Sequence, residues 1–112
     1  MRGEVRASII SGVIILGFFA SAGHTQPRPD PERGHEVATR VCRACHAVDR
    51  DSSGKGEADI PSFAVTARQP WASTEYVAAR IQHPHPKMPG LPLNAQEVRD
   101  VATYIMTLKR PD

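Results

Sequence analysis

The amino-acid sequence predicts an all-α domain, and three observations carry that prediction. Apolar residues recur at three- and four-residue spacing in segments near both ends of the chain, the mark of a helix with one buried face. Helix-starting residues (Asp30, Ser73 or Thr74, and Asn94) stand before three such segments. No stretch alternates apolar and polar residues for long enough to argue a strand. With 112 residues there is room for one small domain.

The first segment reads as an address. Arg2 and Arg6 flank Glu4, an uncharged run of 14 residues follows from Ala7 to Ala20, and Ala20-Ser21-Ala22 offers a small-residue cleavage pattern. Charged start, apolar middle and small-residue exit predict a signal peptide over residues 1–22, cut after Ala22, and hence a periplasmic protein. The alternative is a retained membrane anchor, but the run is short of the ~20 residues that cross a bilayer.

Residues 23–31 hold Pro27, Pro29 and Pro31 at every second position and predict an extended tether. The domain is expected over residues 32–110. Asp30 is placed to cap a helix that has Pro31 in its first turn, where the missing N–H costs nothing. That helix should run to about Cys45, with Gly34, Val37, Ala38 and Val41 on one face. Residues 49–59 are polar and contain Gly54 and Gly56, a surface loop; after Ile60-Pro61-Ser62-Phe63 comes a short helical piece, Ala64 to Arg68. Ser73 or Thr74 starts a second clear helix with Tyr76, Val77, Arg80 and Ile81, ended by Pro84. Four prolines and Gly90 make residues 83–92 an irregular loop. Asn94 with Glu97 three residues on forms a capping box for the last helix, whose stripe is Val98, Val101, Ala102, Ile105 and Leu108 with Tyr104 beside it.

Composition narrows the function. A hydrophobic fraction of 40% with 23% charged residues excludes a disordered chain and a multi-span membrane protein. The net charge of +2 is too small for a general nucleic-acid binder. Without Arg2, Arg6 and Glu4, the 14 basic and 12 acidic residues become 12 and 11, so the mature chain is nearly neutral. One Trp, two Tyr and three Phe beside ten Pro make a poor core, so a domain of this size needs a disulfide, a metal or a large bound group.

Cys42-Arg43-Ala44-Cys45-His46 is the C-x-x-C-H attachment signature of c-type haem. Two cysteines one turn apart present both sulfurs to one side for thioether bonds to the haem vinyl groups. His46 is then held beneath the iron and offers Nε2 as the proximal ligand. Other uses of the cysteines fit less well. A Cys42–Cys45 disulfide closes too short a loop to stabilise the domain, and a thioredoxin-like redox pair needs a βαβ context. A zinc site drawing on His83 and His85 lacks the usual ligand spacing and leaves His46 unexplained.

The iron's other face needs a ligand or an opening. Met88 lies in the proline-rich loop, where no regular backbone hides its sulfur, whereas Met1 leaves with the leader and Met106 sits off the stripe of the last helix as a gap-filler. Met88 is therefore the preferred sixth ligand, and a thioether favours the ferrous state relative to two histidines. His83 and His85 are rivals in the same loop, and a vacant site is a further alternative.

With these residues assembled, the chain resembles a small bacterial class I (monohaem) cytochrome c over about Pro31 to Leu108. Gly34 stands eight residues before Cys42, where the family has a glycine that lets the terminal helices cross closely against an aromatic of the last helix; Tyr104 matches, with Val101 beside it. A large residue often precedes the motif by four positions, and here Ala38 stands instead. Ile60-Pro61-Ser62-Phe63 resembles the segment whose proline carbonyl accepts a hydrogen bond from the proximal histidine, which implies that Pro61 orients His46. Met88-Pro89 with Leu91 and Leu93 matches the family's methionine loop. Trp71 stands near a tryptophan that in some members donates to a haem propionate, or else packs on the haem edge. The resemblance implies a cytochrome c fold, three main helices around one covalently bound haem c with one edge exposed.

The expected function is that of a non-enzymatic electron carrier between transient redox protein partners. Nothing resembles a triad or paired carboxylates, and the acids are scattered along polar faces. Arg43, Arg50, Arg68 and Arg80 read by default as solvated surface. The protein should touch a membrane only through a membrane-bound partner or an uncleaved leader. The rival readings are a dedicated haem subunit of one dehydrogenase or oxidase, and a haem enzyme or gas sensor with an open sixth site.

Overall fold

The computed structural model describes residues 22–51, 59–83 and 85–109, and among them all regular structure is helical. The expected leader up to its last residue, most of the polar loop, Pro84 and the end of the chain lie outside the described residues.

Residues 22–29 are exposed and without regular structure. At the root of this segment the Arg28 carbonyl accepts from Arg33 and Gln96, each at 3.4 Å, which holds it against the helices. Asp30 caps α1 (Pro31–Val37), its carboxylate accepting from the Glu32 and Arg33 N–H groups at 2.9 and 3.3 Å.

The α-helix expected to reach about Cys45 does not. From Ala38 to Cys42 the backbone widens into a π-helical turn, and the Arg43 N–H reaches back five residues to the Ala38 carbonyl at 3.0 Å. A tight turn follows, in which the Cys45 and His46 N–H groups both bond to the Cys42 carbonyl at 3.1 and 2.9 Å. Apolar spacing of three and four residues does not distinguish an α turn from one wider turn, so the sequence pattern runs through the change unbroken.

The remaining helices begin at their capping residues. Ser62 caps α2 (Phe63–Ala67), one residue ahead of the expected start, by accepting from Val65 N–H. Ser73 caps α3 (Thr74–Gln82) by accepting from Tyr76 N–H. Asn94 and Glu97 complete both halves of a capping box on α4 (Ala95–Thr107).

The longest helix, α4, forms the spine against which α1, α2 and α3 all pack. Its expected stripe is buried, together with Tyr104. Gly34 makes the α1–α4 crossing close: a β-carbon there would overlap the Asp100 carbonyl and approach Tyr104 Cβ to 2.9 Å. Ala38 is fully buried, and the core continues through Val37, Cys42, Val48, Phe63, Ala64 and Ala67. The Tyr104 hydroxyl donates to the Val48 carbonyl at 2.8 Å, tying the last helix to the chain just after the cysteine motif.

One acid departs from the expected polar faces. Asp100 is only 2% exposed, and it accepts from Asp30 N–H at 2.8 Å, Arg33 Nε at 3.0 Å and Gln96 Nε2 at 2.8 Å. Burial alone would raise its carboxyl, but these bonds and the Arg33 charge overcome that and hold it below its ordinary value.

Candidate functional site

The π-helical turn, the segment 61–63, helix α3, the loop before α4 and the middle of α4 enclose a cavity of about 770 Å³, including its open mouth. Phe63, Val77, Ile81, Leu91, Val101 and Ile105 give it apolar walls. Four of the five expected site residues, Cys42, His46, Pro61 and Met88, line it. Cys45 does not: it sits in the tight turn beside the wall and is exposed, whereas Cys42 is buried. No disulfide joins the two cysteines, and burial pushes the Cys42 thiol up to about 11.

His46 is oriented from the protein side. Its Nδ1 lies 2.8 Å from the Pro61 carbonyl oxygen. A carbonyl only accepts, so Nδ1 carries the proton and donates, and in the neutral ring Nε2 holds the free lone pair. The segment bearing Pro61 is held in place by the Phe63 N–H bond to the Ala47 carbonyl at 3.0 Å, which clips residues 61–63 to the residue following His46. The Phe63 ring lies against the imidazole at a centroid distance of 5.4 Å.

Met88 enters from the loop before α4. A turn closed by its N–H on the His85 carbonyl at 2.9 Å brings both residues to the cavity. His83 is exposed and lies off the cavity wall. Among the described residues no three of His, Cys, Asp and Glu converge to hold a metal ion, so the zinc arrangement of Cys42 and Cys45 with His83 and His85 has no geometry here.

Trp71 stands at the mouth, 51% exposed, with its ring 4.7 Å from that of Tyr76. Of the four arginines singled out in the sequence, Arg80 alone borders the cavity. Arg43 pairs with Asp49 at 2.6 Å, Arg50 donates to the Thr107 carbonyl and Arg68 is exposed. The wall built by α3 is not part of the site that the sequence predicts. Its signal was present in Val77 and Ile81, four apart on the face that meets α4.

The donor set fits an iron porphyrin. The apolar cavity is lined by an imidazole whose Nε2 is left free, a thioether sulfur and a buried cysteine, together with two aromatics and one arginine at its exposed side.

Comparison with known proteins agrees. Residues 29–105 match the family described as "Cytochrome C oxidase, cbb3-type, subunit III". Over 100 residues the chain is 37% identical to Cytochrome c-552 of Bradyrhizobium diazoefficiens, in an alignment spanning 89% of this chain and 95% of that protein. No solved structure is a significant match.

Proposed function

The chain belongs to the cytochrome c family, cbb3-type, and from that premise we propose that it is a periplasmic monohaem carrier of single electrons, liganded by His46 and Met88. Haem c, the covalent cofactor of the family, supplies a reversible Fe(III)/Fe(II) couple when bound. In this reading Cys42 and Cys45 are the thioether anchors.

The observation that carries the reading is the 2.8 Å bond from His46 Nδ1 to the Pro61 carbonyl. It holds the tautomer whose Nε2 is free for iron, and it makes that nitrogen a better donor. Met88 lines the same cavity and offers a soft sulfur that favours the reduced state. The apolar walls exclude water. Trp71 and Tyr76, at the exposed mouth, mark where a partner would come close enough for electron transfer. Near-neutral mature charge makes long-range steering weak, in keeping with transient docking over a small area.

The test is the ferric absorption spectrum of exported holoprotein. His46–Met88 ligation predicts the sulfur-to-iron band at the red end, and a ferrous form that resists carbon monoxide. Absence of the band with ready carbon monoxide binding would instead favour an open sixth site.

The family description names an oxidase subunit, which favours a second reading: a haem subunit bound to one periplasmic or membrane partner. Gel filtration of native extract separates the two, since a free carrier elutes as a small protein and a subunit elutes with its complex.

A further inference from the structure

We propose that His85 is a reserve iron ligand: when the Met88 sulfur is lost, its imidazole takes the sixth position and keeps the site closed to outside ligands. This rests on the His46–Met88 reading and extends it.

Between α3 and α4 the chain offers three nitrogen side chains near Met88, namely His83, His85 and Lys87. Their placement separates them. His83 and Lys87 are exposed and lie off the cavity, whereas His85 is half-buried and lines it together with Met88. The Met88 N–H bond to the His85 carbonyl, 2.9 Å, makes the two residues the ends of one turn. Exchange of one side chain for the other therefore needs a local rotation within that turn and no movement of a helix.

The His85 ring is also uncommitted. Its carbonyl is used, but the imidazole makes no hydrogen bond, ion pair or ring contact among the described residues. His35 is engaged with Asp49 at 2.8 Å and His46 with Pro61 at 2.8 Å, whereas His24 and His83, also without a side-chain partner among the described residues, are exposed. A half-buried histidine that lines an apolar cavity and whose imidazole has no partner is available as a donor there, and imidazole ranks among the commonest metal ligands. In the exchange the Met88 sulfur–iron bond breaks and a His85 nitrogen–iron bond forms, with no net electron transfer.

The test compares purified holoproteins by absorption spectroscopy and carbon monoxide binding. Met88→Ala should lose the sulfur band yet stay low-spin, and its ferrous form should still resist carbon monoxide. Met88→Ala/His85→Ala should turn high-spin and bind carbon monoxide readily, while Met88→Ala/His83→Ala should match Met88→Ala. Met88→Leu, which keeps apolar bulk at the position, gives the same series if the alanine variants fail to mature. A high-spin single variant, or a double variant at His85 that remains low-spin, overturns the proposal and in the second case transfers the role to Lys87 or another group. A wild-type protein without the sulfur band would instead overturn the Met88 assignment beneath it.

Discussion

Gly34 on the first helix meets the backbone of Asp100 on the last so closely that no β-carbon fits between them. The opposing atoms belong to a carbonyl in the middle of α4, which cannot rotate away as a side-chain tip would. Gly34→Ala would gain about 1 kcal/mol of helix propensity. Overpacking costs roughly 1–3 kcal/mol or more, and here the clash is with backbone. The net expectation is a loss of about 2 kcal/mol, read as a lowered denaturant midpoint with unchanged slope. Equal or greater stability would mean that the helices cross elsewhere.

Asp100 fastens the same crossing through its bonds to Asp30, Arg33 and Gln96. Its folded-state carboxyl titrates below its ordinary value, so its stabilising contribution is full above the unfolded value of about 3.9 and is lost as pH falls through the lower folded value. Asp100→Asn should cost about 2 kcal/mol near neutral pH. It should also flatten the acid limb of the stability curve, measured by denaturation at stepped pH. An acid limb of unchanged steepness would assign the acid sensitivity to other groups.

Tyr104 connects α4 to the chain just beyond the cysteine motif through its hydroxyl and the Val48 carbonyl. Tyr104→Phe keeps the ring and leaves that carbonyl without its donor, at a cost of about 1 kcal/mol in denaturant melts. The ferric spectrum should stay the same, because neither Tyr104 nor Val48 lines the cavity. A changed spectrum would show that the bond positions the motif as well as stabilising it.

Much of this fold was legible because its signals are local. Asp30, Ser73 and Asn94 announce helix starts through bonds to N–H groups two or three residues away. The C-x-x-C-H run and the Met88 loop are likewise contiguous in the chain. What the sequence left unread depends on distant partners. Asp100 looks like any surface acid until Asp30 and Arg33, some 70 residues earlier, close over it. The π-helical turn escaped notice for a different reason, since widening one turn leaves the apolar spacing intact. The α3 wall of the cavity depends on that helix packing against α4, a contact between segments distant in the chain.

Met88→Ala should abolish the sulfur-to-iron band and lower the reduction potential by on the order of 0.1 V or more, within the ~0.8 V range that axial ligands span. The soft thioether favours Fe(II), and its removal withdraws that preference. Potentiometric titration followed by absorbance measures both at once. An unchanged spectrum and potential would remove Met88 from the iron.

The most direct measurement is the denatured mass of exported, purified protein. Two sulfur–carbon bonds at Cys42 and Cys45 predict the polypeptide mass plus one haem that survives unfolding, and the haem increment should vanish when both cysteines are replaced by serine. A mass equal to the bare polypeptide, from material without colour, would contradict the account.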